Sequence, residues 1–345
     1  MTALATKLVF PGPYQIEFQQ QSLQEIDSNQ VIVATDYSLI SPGTELALYT
    51  GTHTGLANPN NSWAKYPFSP GYAIAGTVTA IGAEVTDVEL GQKVFGIGSH
   101  ASHNVFTMDK EENRSLFPLH PNQDMAHASF ARLAAISATS LMKAKIQHGE
   151  TVIVLGMGLI GQLAAQLYTL HGARVIGVDP VPQRLEIARA SGIAHTLSSD
   201  NLSLTMEKIR EIRGYTGAEL VIEATGIPDM VNSALELVKP MGTVVLLGSP
   251  RGTATIKTYD HIHVKGVSLV GAHEGLQTTN GQSMRSRYIR YALDMIHTGK
   301  LCVAPLLTHT VEALQAGSCY EQLLNDKERS MGMLLDWRQF HKGDH

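Results

Sequence analysis

The chain has 345 residues, 43% hydrophobic and 17% charged, with a formal net charge of -5. That balance predicts a soluble globular protein with two domains and, lacking any basic block or aromatic-basic interleaving, no nucleic-acid partner. No run of about 18 apolar residues is present, so no membrane span is expected. Two cysteines, Cys302 and Cys319, form no Cys-x-x-Cys pair, which argues against a disulfide framework or a cysteine-rich zinc site. Met1 to Lys7 lacks the long apolar core of a signal peptide, and a cytoplasmic protein is the expectation.

Taken in chain order, the first part reads as β. Val31-Ile32-Val33-Ala34-Thr35 is strand-like, Gly76 to Gly82 alternates and ends in glycine, and Lys93-Val94-Phe95-Gly96 follows a turn at Leu90-Gly91-Gln92. Frequent Pro and Gly predict a barrel-like domain with tight corners. From about residue 126 strands alternate with helical patterns, the strands being Val152–Leu155, Arg174–Val178, Leu220–Ala224, Thr243–Gly248 and Val267–Gly271. This alternation predicts an α/β unit with a parallel, doubly wound sheet. From about residue 283 the pattern is helical again, through Tyr291–Ile296, and the tail at Met333–Trp337 is placed to return to the first domain.

The second part carries the clearest motif. Val152 to Leu155 runs into Gly156-Met157-Gly158-Leu159-Ile160-Gly161, a G-x-G-x-x-G followed by apolar residues at helix spacing, Ile160, Leu163, Ala164 and Leu167. Gly156 permits the tight turn, Gly158 lets the backbone approach a pyrophosphate, and Gly161 lets helix and strand pack closely. The N-terminus of the helix, at Leu159 and Ile160, presents N–H groups and a positive dipole end to phosphates. The next strand ends in Asp179, placed to accept the hydroxyls of an adenosine ribose. A carboxylate there repels a 2′-phosphate, so NAD is expected over NADP. Arg184 leaves the choice open, since a guanidinium can bind a 2′-phosphate or lie along the ribose edge.

Across nearly its whole length the chain resembles the medium-chain dehydrogenase/reductase family of alcohol dehydrogenase type. Ser41-Pro42-Gly43-Thr44-Glu45-Leu46 resembles the family's Cys-Gly-Thr-Asp segment, Pro70 to Gly76 its Pro-Gly-His-Glu-x-x-Gly segment, and Gly91-Gln92-Lys93-Val94 its Gly-Asp-x-Val turn. Glu223-Ala224-Thr225-Gly226 is similar to the loop below the adenine and ribose, Gly242 to Gly248 to the strand beside the nicotinamide, and Pro305 to His309 to a returning Pro-Leu-Ile-Thr-His. The resemblance implies a GroES-like β-barrel catalytic domain over residues 1–125, a Rossmann NAD(P)-binding domain over 126–280, and a return to the catalytic domain over 281–345. It adds Thr225, Gly226, Leu247, Gly248 and Val270 to the expected cofactor contacts. It further implies a homodimer or homotetramer, with Val267–Gly271 as the sheet edge that pairs.

The departures from the family bear on the chemistry. Where zinc members carry a cysteine, a histidine and its neighbouring glutamate, this chain has Pro42, Tyr72 and Ala73, and Phe130-Ala131-Arg132 offers no third ligand. Zinc takes about three protein ligands plus water at a catalytic site. Gly98 to His120 contains no cysteine, so the structural zinc lobe is also not expected. The Ser-Pro-Gly-Thr-Glu-Leu variant is similar to a zinc-lacking branch that includes bacteriochlorophyllide dehydrogenase-like proteins. Hydride transfer without metal still needs a proton donor and oxyanion stabilisation. Thr44 matches the hydroxyl of the family's proton relay. Tyr72 either donates a hydrogen bond to substrate or fills the emptied metal space. Glu45 matches an acid behind the site or forms a structural ion pair. His100 and His103 lie near the expected cleft wall, and an imidazole suits acid–base work. His261, His263, His273 and Glu274 follow no ligand spacing.

Three functions compete. The first is a zinc-independent NAD(H) dehydrogenase of a secondary alcohol or ketone, with a sugar, polyol or cyclitol among the candidates. The second is an enone or quinone reductase, chemistry that needs no metal but is usually NADPH-linked. The third is a nucleotide-binding structural or regulatory protein with little turnover. The loops Thr50–Tyr66 and Gly275–Arg287 are expected to shape a small-molecule substrate pocket.

Overall fold

The structure, a computed structural model, describes residues 4–108, 114–198, 202–213, 217–275 and 284–341. In chain order the first elements are β1 (Leu4–Val9), β2 (Glu17–Ser22), β3 (Gln30–Leu39), α1 (Pro42–Tyr49), β4 (Ile74–Ile81), β5 (Lys93–Gly96), β6 (His103–Thr107), β7 (Leu116–Pro118), α2 (Met125–Ala128) and α3 (Ala131–Lys143). Then come β8 (Thr151–Leu155), α4 (Leu159–Leu170), β9 (Arg174–Val178), α5 (Pro182–Ala190), β10 (His195–Leu197), α6 (Leu202–Arg213), β11 (Ala218–Glu223), α7 (Met230–Leu237), β12 (Val238–Leu246) and β13 (Ser268–Gly271). The last are α8 (Arg285–His297), β14 (Leu307–Glu312), α9 (Ala316–Asn325) and β15 (Gly332–Asp336).

These elements form two compact units, one of residues 1–132, 277–299 and 307–345, the other of 133–276 and 300–306. The boundaries expected at residues 125 and 280 therefore shift to 132 and 276, and residues 300–306 join the nucleotide-binding unit. That last segment is held by Gln166 on α4, whose amide exchanges two hydrogen bonds with the backbone of Cys302, at 2.7 and 3.0 Å.

The first unit is built around β3. Among the described residues its sheet runs β14-β15-β3-β4-β5-β7, with β6 also pairing β3. One edge of β3 pairs β4 throughout, while the other pairs β6 over Gln30–Ala34 and β15 over Tyr37–Leu39. Register shifts at Ile32/Val33 and Thr35/Tyr37 bend the strand between these partners, as bulges do. A bent strand that changes partner curls the sheet around its core. On one side Phe10, Leu48, Tyr320 and Trp337 are completely buried, and on another Val31, Val33, Ile74 and Val94. The tail expected to return does so, since β15 lies antiparallel to β3 with Leu335 opposite Ser38.

The second unit is a parallel sheet in the order β10-β9-β8-β11-β12-β13. Every residue of β8 is buried, as a central parallel strand covered on both faces must be. Strand order reverses between β8 and β11, the position at whose C-terminal strand ends such sheets bind ligands.

Candidate active site

The loop after β8 uses its three glycines for three different reasons. Gly156 has φ +89°, and a Cβ there would lie 2.7 Å from the methyl of Thr225. Gly158 has φ -73°, and a Cβ there would meet nothing within 4 Å. It therefore borders open space at the start of α4, whose N-cap receives no side-chain bond. At Gly161 a Cβ would fall 1.8 Å from the carbonyl oxygen of Gly156, so only glycine lets the first turn of α4 lie against the loop. Open space next to uncapped N–H groups at a positive dipole end fits a pyrophosphate.

Asp179 follows β9 and is only 2% exposed. Its Oδ2 accepts a hydrogen bond from the Met157 N–H at 2.8 Å, and its Oδ1 accepts from the Val181 N–H at 2.9 Å. Arg184 Nη1 lies 3.5 Å from Oδ2. The carboxylate placed by sequence as a ribose acceptor thus also ties the glycine turn to the second strand. Oδ1 accepts one bond and keeps a further lone pair, while Oδ2 is shared between the Met157 N–H and the Arg184 guanidinium. Gln162 completes the tie through its amide nitrogen, which donates to the carbonyls of Met157 and Arg184 at 3.2 and 2.8 Å.

The loop after β11 is folded around a buried acid that the sequence reading did not single out as a site residue. Glu223 is fully buried. Its carboxylate accepts from the Thr225 N–H at 2.7 Å, from the Thr225 hydroxyl and from the Gly226 N–H at 3.3 Å. Burial raises its pKa and these donors oppose the rise. Its carbonyl oxygen accepts from the Leu247 and Gly248 N–H groups at 2.9 and 2.8 Å. Gly226 has φ +68°, and a Cβ on Gly248 would lie 2.4 Å from the Gly226 nitrogen. Thr225, Gly226, Leu247 and Gly248 are therefore one locked assembly. Val270, on β13, is half-buried against the core beneath. Ile160 is half-buried and Leu159 buried, at the first turn of α4.

In the first unit the expected catalytic residues gather around a buried polar network. Glu45 on α1 is 1% exposed and His100 is fully buried. Glu45 Oε2 lies 2.9 Å from His100 Nε2 and accepts a hydrogen bond from the Tyr320 hydroxyl at 2.6 Å, while Oε1 accepts from the Ser41 N–H at 2.9 Å. His100 Nδ1 lies 2.7 Å from Ser38 Oγ, to which Trp337 Nε1 donates at 2.8 Å. A carboxylate only accepts, so Nε2 carries a proton toward Glu45, while Nδ1 shares a hydrogen bond with the Ser38 hydroxyl. Burial, with the Glu45 charge second, pushes the Tyr320 phenol well above its ordinary value, so it stays a donor.

Tyr72 stands at the edge of this network, half-buried, and its phenol donates to Ser41 Oγ. The guanidinium carbon of Arg132, itself 5% exposed, lies 5.9 Å from the centre of the Tyr72 ring. Thr44 is half-buried on the same helix as Glu45.

The placement of His100 corrects the sequence reading. It was expected on a cleft wall, available for acid–base work, but it is sealed in the core with both ring nitrogens engaged. The network itself was not foreseen. Ser38, Tyr320 and Trp337 come from distant segments, and no local pattern marks them. His103 bonds its neighbour Ser102 at 3.1 Å and packs against His341. His261 and His263 lie in a π-helical turn, Thr258–Val264, and His273 accepts from the Gly275 N–H at 3.0 Å. Among the described residues no three His, Cys, Asp or Glu are grouped as a metal site. Residues 276–283 of the second expected substrate loop lie outside the described residues.

Comparison with known proteins agrees with this architecture. Residues 27–147 match the model of the alcohol dehydrogenase GroES-like domain, and residues 160–291 match that of the zinc-binding dehydrogenase. The chain belongs to the medium-chain alcohol dehydrogenase-like family. As a member it is an oxidoreductase of the dehydrogenase/reductase type acting on CH–OH groups. It is 27% identical over 254 residues to D-guloside 3-dehydrogenase of Shigella flexneri, covering 69% of this chain and 72% of that one. It is also 27% identical to 2-desacetyl-2-hydroxyethyl bacteriochlorophyllide A dehydrogenase of Cereibacter sphaeroides, covering 96% and 98%. The solved structure of galactitol-1-phosphate dehydrogenase from Escherichia coli superposes with a TM-score of 0.79 at 19% identity, covering 96% and 99%.

Proposed function

We propose that the protein is a zinc-independent dehydrogenase that moves a hydride between NAD(H) and a secondary alcohol or ketone of the sugar, polyol or cyclitol class. The observation that carries this reading is the Tyr72–Ser41 hydroxyl pair beside Pro42 and Ala73. Proline and alanine have no donor atoms, and a catalytic zinc needs about three protein ligands. The donor set does not fit a catalytic zinc. Tyr72 supplies instead a hydroxyl to donate to, or take a proton from, the substrate oxygen.

NAD, when bound, accepts or supplies the hydride. Gly156, Gly158, Gly161, Leu159 and Ile160 would hold its pyrophosphate, Asp179 with the Thr225–Gly226 loop its adenosine side, and Leu247–Gly248 with Val270 the nicotinamide side. The negative charge of Asp179 supports NAD over NADP, with Arg184 neutralised against it at 3.5 Å. The polyhydroxylated substrates named for two of the relatives support the substrate class. Thr44 is proposed as a further relay hydroxyl, while Glu45 and His100 act from behind, through Ser41 and Tyr72. We also propose a homodimer or homotetramer through the β13 edge.

The test is NADH formation, followed by its near-ultraviolet absorbance, with NAD and a panel of polyols, cyclitols, sugars and simple secondary alcohols in the presence of a zinc chelator. Turnover there is the expected outcome. Loss of turnover on chelation, restored by zinc, sinks the metal-free reading. Silence across the panel transfers the proposal to enone or quinone reduction.

A further inference from the structure

Helix α1 begins without the bond that its first residue type usually makes. Its N-cap is Ser41, and a serine there ordinarily accepts a hydrogen bond from an N–H of the first turn. Here the side chain makes no cap bond. Pro42, at the first helical position, has no N–H to offer. The Ser41 N–H is held by Glu45 Oε1 at 2.9 Å, one turn into the same helix. Glu45 is in turn fixed by His100 and Tyr320 at 2.9 and 2.6 Å. The backbone of Ser41 is thus clamped by a completely buried network while its hydroxyl is freed from capping. That hydroxyl accepts the phenolic hydrogen of Tyr72.

We propose that Ser41 is the positioning residue for proton transfer at Tyr72, its hydroxyl accepting from the phenol and donating to the phenolate. This rests on the reading of Tyr72 as the proton donor. In carbonyl reduction the hydride from NADH goes to the carbonyl carbon. The phenolic O–H bond breaks as a new O–H bond forms on the substrate oxygen, leaving a phenolate at Tyr72. The Ser41 hydroxyl then turns its own hydrogen to the phenolate oxygen, and a solvent proton later restores the phenol. Alcohol oxidation runs the same steps backwards, with the alcohol proton taken by the phenolate. A hydrogen bond to an ionised acceptor is about twice as strong as one between neutral groups, so a hydroxyl that can reverse its direction favours the phenolate over the phenol.

Other charges face the pair from the neighbouring elements. Arg132 at the start of α3 favours the phenolate, and its guanidinium carbon is 5.9 Å from the ring centre. The Glu45 carboxylate on α1 disfavours it. His100, after β5, and Tyr320, on α9, hydrogen-bond Glu45, and Tyr320 also interacts electrostatically with Tyr72. Ser41 is bonded to both sides of this arrangement, its N–H to Glu45 and its hydroxyl to Tyr72, and its hydroxyl hydrogen can be turned toward Tyr72 without moving the backbone.

The test is a titration of Tyr72 in protein labelled at the tyrosine Cζ carbon, its resonance assigned by its loss in Tyr72→Phe. In Ser41→Ala the midpoint should rise by about one pH unit, the scale of one lost hydrogen bond to a charged group. Ser41→Thr, which keeps the hydroxyl, should titrate with the wild type. Equal midpoints in wild type and Ser41→Ala overturn the proposal. Should the alanine variant fail to fold, Ser41→Cys keeps the shape with a weaker donor, and the same rise is expected of it. Turnover gives a second readout on any substrate found. Ser41→Ala should lower kcat about tenfold or more with KM unchanged, and the same change should cost nothing in the Tyr72→Phe background. An equal loss in both backgrounds reduces Ser41 to a structural role. The titration needs no substrate, so a silent alcohol panel strikes the functional reading and leaves this one standing or falling by itself.

Discussion

The proposed role of Tyr72 as proton donor is open to a single substitution. Tyr72→Phe should lower turnover about a hundredfold, within the range of a lost general acid, while NADH affinity by fluorescence titration stays unchanged. Unchanged turnover would return the ring to space-filling. Asp179 ties the loop and is proposed as the ribose acceptor, and its variant should reveal both. Asp179→Ala removes the acceptor of two backbone hydrogen bonds and releases Arg184 from its carboxylate. The ratio of NAD(H) to NADP(H) affinity should fall about tenfold, or roughly 1.4 kcal/mol. Equal losses for both nucleotides by calorimetry would refute the ribose assignment.

Cys319 belongs to the same scale and gives the molecule a pH signature. Burial beside the core of the first unit pushes its thiol up from an ordinary 9.0 to about 11. Between these values the unfolded chain has lost the proton and the folded chain has kept it. Its contribution to stability is therefore complete below pH 9 and lost as pH rises toward about 11, on the order of 2–3 kcal/mol. Urea denaturation across this range should show wild type and Cys319→Ala converging as pH rises. Parallel curves would show that the thiol titrates alike in both states.

At the scale of elements, the turn between β8 and α4 separates folding from binding. Gly158 borders open space at a φ that alanine also adopts. Gly158→Ala should keep the thermal midpoint while weakening NADH at least about tenfold, because the methyl fills the pyrophosphate space. Gly161→Ala instead drives a methyl into the Gly156 carbonyl. It should cost at least about 2 kcal/mol of stability, as overpacking does, before any effect on binding is counted. A Gly158→Ala variant with full NADH affinity would sink the cofactor assignment. This element was legible in sequence because everything it needs is local, namely an apolar strand, three glycines at fixed spacing and an acid one strand later. The Glu223 loop was only half legible. Its glycine was visible, but the acid reads as the end of a strand until the fold shows three donors converging on it.

At the scale of the whole molecule, the parallel sheet ends at β13, an edge strand of the kind proteins pair or cover. Near it in sequence, Tyr259 and Val264 are 68% and 63% exposed. If this face forms the subunit contact, Tyr259→Lys with Val264→Glu should convert a dimer or tetramer into smaller species in sedimentation velocity. A monomeric wild type would overturn the oligomer assignment.

The sequence by itself determined what is local or periodic. It specified the alternation that makes the parallel sheet, the glycine turn that fits a dinucleotide, the β character of the first unit and the absence of ligand atoms at Pro42 and Ala73. A strand, a turn or a missing donor is a property of a few consecutive residues, and it survives in any fold that those residues adopt. The buried network of Glu45 and His100, with Tyr72 at its edge, was decided only by tertiary structure. Ser38 lies on β3, Ser41 and Glu45 at α1, His100 after β5, Tyr320 on α9 and Trp337 after the strand that returns to β3. Their distances in sequence carry no information about their hydrogen bonds. A buried polar group must find its partner wherever the packing brings one, and that is why His100 reads as a cleft-wall histidine in the sequence and proves in the fold to be the core of a clamp.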